Sequence, residues 1–220
     1  MKVRSMLMLI FAISLGAAQA QGLNSRPNFA KLPTPQPGEA VATFAGGCFW
    51  AQEEAFDQLK GVREVISGYS GGSLRNPSYE QVGTDETGHA EAVQVYYDPN
   101  VISYRDLLVA FFASHDPTTL NRQGPDVGRD YRSMAFYRNP TEKKAIEDAI
   151  LVVNESKHYP NKVVTEVVPF SVFYPAENYH QNYFKLHPNQ PYIRNVSLPK
   201  VEKMRKVMAG KLKKEGKFTI

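Results

Sequence analysis

The chain has 220 residues, 42% of them apolar and 22% charged, which excludes wholesale disorder and the collagen-like and coiled-coil classes. A single cysteine, Cys48, excludes an intramolecular disulfide and a cysteine-rich zinc site. A formal net charge of +4 is too small to argue for a nucleic-acid partner.

In chain order, the N terminus reads as an export signal. Lys2 and Arg4 precede an apolar run over 6–15, broken by Ser14, and Ala18-Gln19-Ala20 supplies an A-x-A cleavage site. The run is too short to span a bilayer as a mature helix, and no cysteine follows it to carry a lipoprotein anchor. Residues 1–20 are therefore expected to be a signal peptide, and the protein to be exported, either periplasmic or secreted. Cysteines usually pair in such compartments, so an unpaired one needs an explanation. Residues 21–40 hold Pro27, Pro33, Pro35 and Pro37 without apolar periodicity and read as an extended leader.

A folded domain is expected over 41–198. Residues 41–45 form a short apolar strand, Gly46-Gly47 a turn, and 49–59 a helix closed by Gly61. Residues 62–69 are β-branched and strand-like, and a turn-rich stretch runs over 73–88. Residues 90–97 make a strong strand stopped by Asp98-Pro99. Ser103 with Asp106 three residues on is a variant capping box, opening a helix whose apolar face is Leu107, Leu108, Phe111 and Phe112. After a polar segment over 115–130 come a strand over 131–138, a helix over 141–157, a strand over 163–173 and a helix over 176–186. This order is not the strict alternation of a doubly wound fold. It predicts an α+β class, a ferredoxin-like split βαβ plait with extra helices and long loops. Residues 199–220 form a basic tail, with Val201, Met204, Met208 and Leu212 at helical spacing. It is read as a solvated helix lying on the domain, and membrane contact is not expected.

The chemistry centres on Cys48. A lone cysteine is ordinarily a buried small hydrophobe. Here it follows a strand and a Gly-Gly turn and opens a helix, whose N-terminal amides favour a thiolate and lower its pKa. Phe49 and Trp50, the one tryptophan, could wall an apolar pocket beside it. Alternation along 90–97 puts Glu91 in phase with Val93, Val95 and Tyr97, where a carboxyl would stay protonated near neutral pH and could act as a general acid; at a frayed strand start it would instead point to water. Tyr79 and Tyr131 stand at loop–strand borders and could donate hydrogen bonds, although packing is the commoner use of any one of 12 tyrosines. His89 and His180 are candidate bases for a cysteine hydrolase, while His115 and His158 look structural.

Several motifs then coincide. Gly46-Gly47-Cys48-Phe49-Trp50, Ser67 to Gly72, Asn76-Pro77-Ser78-Tyr79, Thr87-Gly88-His89-Ala90-Glu91, His115 to Gly124, Asp126-Val127-Gly128, Tyr131-Arg132-Ser133 and Tyr174 to Gln181 together resemble peptide methionine sulfoxide reductase A, in that family's order. The resemblance implies that 41–198 is the catalytic domain of an oxidoreductase that repairs oxidised methionine. It implies that Cys48 attacks the sulfoxide sulfur and that Glu91 protonates the departing oxygen, helped by Tyr79 and Tyr131. It implies further that Phe49 and Trp50 hold the substrate methyl group and that Asp126 binds substrate. Cys48 would end as a sulfenic acid, and the S epimer would be the one reduced.

The departures from the family pattern are as informative. Ala51 and Gly83 stand where some members carry a second cysteine, and the tail has none. Cys48 must then be regenerated by an external thiol, or by a thioredoxin- or glutaredoxin-like protein, through a mixed disulfide. Pro125 and Arg129-Asp130 replace the family's usual Asn and Thr-Gln, which bears on substrate preference. No bound cofactor or metal is expected. The expected partners are oxidised proteins or peptides and the thiol reductant, with the chain a monomer. Two rivals are a non-catalytic peptide-binding protein and a thiol peroxidase or redox sensor acting through Cys48.

Overall fold

A computed structural model describes residues 28–214. The expected signal peptide, the start of the leader and the last six residues of the tail lie outside the described residues.

The central elements follow from local sequence. The apolar run at Ala40–Gly46 forms β1, and Phe49–Asp57 forms α1, two residues shorter than expected. Val62–Ser70 is β2. Within the turn-rich stretch, Ser78 and Gln81 close a capping box around a short helix, α2, at Tyr79–Val82. Ala90–Tyr97 is β3, with the expected bounds. The Ser103–Asp106 box starts α3 at Tyr104–Ala113. The polar segment after it folds a two-residue hairpin, β4 at Arg122–Gln123 and β5 at Asp126–Val127, and a 3-10 turn over Arg129–Tyr131. That turn delays the next strand, β6, to Ser133–Tyr137. Asn139 caps α4, Pro140–Glu155, with proline in its first turn.

Two expectations are corrected. The single strand over 163–173 is two strands, β7 at Glu166–Pro169 and β8 at Phe173–Pro175. They join opposite edges of the sheet. Pro169 sits on an edge strand, where its missing amide costs no ladder bond; the Phe170 amide makes the last bond, to the Tyr137 carbonyl (2.8 Å), and Phe170 packs against the sheet's second face. The helix over 176–186 is a 3-10 turn at Asn178–His180 and one turn of helix, α5, at Tyr183–Leu186, broken at Asn182 in the left-handed region. Tertiary hydrogen bonds outbid the helix there. The Gln181 side chain accepts from the Ser67 amide (3.0 Å) and donates to the Ser67 carbonyl (3.1 Å), tying the segment to β2.

The six-stranded sheet has the order β7-β6-β1-β3-β2-β8, antiparallel except for the parallel β6–β7 pair. With helices packed on one face it is an α+β fold. That face holds the main core, with Phe44, Phe56, Val93, Val95, Leu107 and Phe111 meeting between sheet and helices. Phe44 stacks on Phe56 at 5.3 Å and on Phe111 at 5.0 Å. The second face carries a smaller core of Ile66, Ala92, Tyr96, Met134 and Phe136. β3 is consequently buried along its whole length. Ala30 and Phe29, in the leader, dock on the Ala176–Glu177 backbone.

A π-turn at Ile193–Ser197 runs into α6, Leu198–Val207, which crosses the boundary drawn at residue 198. Val201, Met204 and Met208 are buried, and the helix lies on α1 and α3. Among the described residues no helix is long and apolar enough to cross a membrane.

Candidate active site

The chain enters the site through Gly46 and Gly47. Gly47 has φ +82, and a Cβ there would come within 2.4 Å of the Gln123 side chain. Glycine is therefore required twice, for the left-handed turn and for the close passage of Gln123. Gln123 is fixed in turn, accepting from the Asp116 amide (3.0 Å) and donating to the Asp116 carbonyl (2.9 Å). The turn presents Cys48 as the N-cap residue of α1, buried with 6% of its surface exposed.

Glu91 starts β3 on the helix-covered face, as the alternation requires, and is buried. The β1–β3 ladder closes with Phe44 opposite Val93, so the chain leaves β1 towards Cys48 at the end of the sheet where β3 begins with Glu91. The Phe49 amide donates to the Glu91 carboxylate at 2.9 Å. The frayed, water-facing alternative for Glu91 does not occur. Burial dominates its ionisation and pushes its pKa up to about 8, against the lowering effect of the Phe49 amide; the negative charges of Asp130 and Asp126 push the same way as burial. Glu91 thus holds its proton at neutral pH.

Cys48 departs from the expectation of a lowered pKa. The Trp50 amide and the Tyr192 hydroxyl do favour its thiolate, but burial and then the Glu91 charge outweigh them and push the thiol well above its ordinary value. The helix-terminus effect is confined to the first turn and is worth little beside full desolvation.

Tyr79, in α2, and Tyr131, in the turn before β6, face each other closely enough for their hydroxyls to interact, and both feel the charges of Glu91 and Cys48. Burial pushes both phenols up, so each stays a proton donor. Glu177 holds this side together, accepting from the Tyr79 amide (3.0 Å) and the Tyr69 hydroxyl (3.2 Å). Phe49 is fully buried against His180 (4.9 Å between ring centres) and Tyr69 (5.9 Å). Trp50 is half-buried, stacked on Tyr183 at 3.8 Å and edge-on to Tyr192 at 5.8 Å. Asp126, half-buried in β5, accepts from the Tyr192 hydroxyl at 2.5 Å. The structure therefore brings Cys48, Phe49, Trp50, Tyr79, Glu91, Asp126 and Tyr131 around one point.

The histidines are committed elsewhere. The Gly72 amide donates to His89 Nδ1 (3.1 Å), leaving Nε2 as the proton-bearing nitrogen facing the Leu74 carbonyl (2.8 Å). His180 Nδ1 accepts from the Trp50 indole (3.2 Å), and burial lowers its pKa to about 4. His115 lies between the Phe111 carbonyl and Ser133, and His158 is exposed. A cysteine–histidine hydrolase pair is not formed.

Sequence reasoning missed Tyr192 and Lys200. Tyr192 bonds Asp126 and lies within hydrogen-bonding reach of the Cys48 sulfur. Lys200, counted among the solvated charges of the tail, buries its ammonium beside the same group of residues. Tyr192 is one of 12 tyrosines and Lys200 one of a run of basic residues, so neither carried a signal at the level of sequence.

The sequence matches the family model described as peptide methionine sulfoxide reductase over residues 40–212. The chain belongs to the peptide methionine sulfoxide reductase family. It is 50% identical to peptide methionine sulfoxide reductase MsrA of Thermus thermophilus over 175 residues, covering 80% of this chain and 98% of the relative. It is 53% identical to that of Sulfolobus acidocaldarius over 166 residues, covering 76% and 93%. Among solved structures, reduced Mxr1 from Saccharomyces cerevisiae superposes with a TM-score of 0.68 at 33% identity, covering 74% of this chain and 93% of that one. Methionine sulfoxide reductase A of Corynebacterium diphtheriae gives 0.62 at 28% identity, covering 73% and 87%. As a peptide methionine sulfoxide reductase, the chain is an oxidoreductase acting on sulfur that reduces methionine sulfoxide, a repair activity. Among the described residues no cluster of three or more histidine, cysteine or acidic side chains could hold a metal ion.

Proposed function

We propose that the protein reduces the S epimer of methionine sulfoxide, free or in peptides, at Cys48, and that an external thiol restores the enzyme. The observation that carries this reading is the buried Glu91 carboxyl, protonated at neutral pH and bonded by the amide next to Cys48. A sulfoxide oxygen is a poor leaving group until it is protonated, and a dry site with a fixed proton donor favours that step. Cys48 attacks the sulfoxide sulfur, Glu91 protonates the oxygen, and Tyr79 and Tyr131 hydrogen-bond it. Phe49 and Trp50 hold the methyl group, and Asp126, with Tyr192, holds the substrate. The thiol and the sulfoxide become a sulfenic acid and a thioether, the oxygen moving to the Cys48 sulfur.

With one cysteine in the sequence, an external thiol displaces water from that sulfenic acid to form a mixed disulfide. A second thiol then releases Cys48 and leaves as the oxidised disulfide. The reductant is a small thiol or a thioredoxin- or glutaredoxin-like protein. We read β1, β2, β3 and β6, with their crossover helices, as a split βαβ plait, and the first 20 residues as an export signal for a periplasmic or secreted monomer.

The test is turnover of the separate S and R sulfoxides of a blocked methionine with dithiothreitol, beside Cys48→Ser. Multiple turnovers of the S epimer alone, lost in the variant, are expected. Methionine formation by Cys48→Ser, or equal turnover of both epimers, would overturn the reading.

A further inference from the structure

α6 delivers one charge that the hydrogen bonding leaves unexplained. Lys200 lies in its first turn, directly after Pro199. One helical turn further on, Met204 is buried in the core that also contains Cys48 and Phe49. The Lys200 Nζ is buried without a hydrogen-bond partner. An unpaired buried ammonium is expensive, and such a group in a folded chain calls for an anion that occupies its neighbourhood at some stage.

Three candidates for that anion face it. Asp126 already accepts from Tyr192 (2.5 Å), and Glu91 already accepts from the Phe49 amide (2.9 Å) and is protonated at neutral pH. The third is the Cys48 sulfur. The groups whose charge or hydroxyl acts on that sulfur are Glu91 from β3, Tyr131 from the 3-10 turn, Tyr79 from α2 and Tyr192 ahead of α6, with Asp126 and Asp130 acting on Glu91 behind them, all acids or phenols. Among the described residues, Lys200 is the cation that acts on it.

We propose that Lys200 is the electrostatic partner of the Cys48 thiolate, a positioning residue that acts through the sulfur and not on the substrate. As the S–H bond breaks and the proton leaves to solvent, sulfur keeps the electron pair beside the buried ammonium. The inference rests on Cys48 being the attacking atom. It gives the last stretch of the domain a part in the chemistry: a chain ended at residue 198 would keep all seven residues named from the sequence and lose this charge.

The test is the rate at which iodoacetamide alkylates Cys48 in the full chain, followed across neutral and alkaline pH for wild type, Lys200→Met, Lys200→Gln and Lys200→Arg. Alkylation forms the S–C bond and expels iodide, so it reads the thiolate without any sulfoxide present. Removing the charge should move the rate–pH curve up by about one unit, a roughly tenfold slower reaction at a fixed pH. Lys200→Arg should stay within about threefold of wild type. kcat should fall in Lys200→Met with KM changed by less than about twofold. The Tm of Lys200→Met should hold or rise, because an apolar side chain of similar length removes a desolvated charge. A folded Lys200→Met or Lys200→Gln with an unmoved curve overturns the inference, and a raised KM with an unmoved curve assigns Lys200 to a substrate anion instead. Turnover by Cys48→Ser would defeat the reading beneath it, and that result is independent of the alkylation curve.

Discussion

Cys48 and Glu91 come from adjacent ends of two paired strands, whereas Asp126, Tyr192 and Lys200 are brought to the same site from a hairpin and from the C-terminal stretch around α6. The first wall is set by backbone. A strand, a left-handed glycine and a helix start place Cys48, and the sheet register places Glu91. The second wall is set by side-chain contacts across long sequence separations: the 2.5 Å bond from Tyr192 to Asp126, and the packing of α6 that buries Lys200. Backbone placement gives Cys48 and Glu91 little freedom. Side-chain placement can be altered one residue at a time, and Pro125 lies in the turn of the hairpin that carries Asp126.

Substitutions in the two walls should therefore fail in different ways. Glu91→Gln, in the backbone-set wall, should lower kcat by about 10²- to 10⁴-fold, the usual worth of a positioned proton donor. Wild-type activity should decline as pH rises above about 8, where Glu91 loses its proton, and the variant should lack that limb; a surviving limb would assign it to another group. The same carboxyl sets a stability trend. Between its ordinary value of 4.5 and about 8, the unfolded chain is ionised while the native state holds the proton, so stability falls as pH rises through that window. Glu91→Gln should accordingly raise Tm on the alkaline side and much less below pH 4.5, read by thermal unfolding at the two pH values.

Gly47→Ala should cost about 2 kcal/mol in denaturant unfolding, combining a strained positive φ with the Gln123 collision. Little loss would mean that Gln123 moves aside, and its bonds to Asp116 would then be dispensable. Smallest is Tyr192→Phe, which removes the hydrogen bond to Asp126 and the hydroxyl beside the Cys48 sulfur. A roughly tenfold rise in KM with kcat changed less than about threefold is expected. A fall in kcat alone would move Tyr192 from the substrate-holding wall to the reacting one.

Much of the first wall was legible. The Gly-Gly-Cys turn and the β3 alternation specify Cys48 and Glu91 because both depend on periods of two and on a glycine's conformational freedom. The capping boxes at Ser78 and Ser103 likewise fix the starts of α2 and α3. Local sequence misled where distant partners intervene. Residues 176–186 have helical composition, yet Gln181 and Glu177 spend their side chains on β2 and α2. Residues 163–173 look like one strand, yet they serve both edges of the sheet. The thiol was expected to be acidified by its helix, and burial, which no local pattern reports, reverses the sign.

By itself, then, the sequence determined the strands and helices of the central sheet, the glycine turn that places Cys48 beside Glu91, the single cysteine, and the family. The tertiary structure alone decided the ionisation of Cys48 and Glu91, the recruitment of Tyr192, and the burial of Lys200 in what otherwise reads as a solvated basic tail. The physical reason is one of range. Backbone periodicity and capping act within a few residues, whereas desolvation and charge–charge interaction depend on every group that folding brings to the same place.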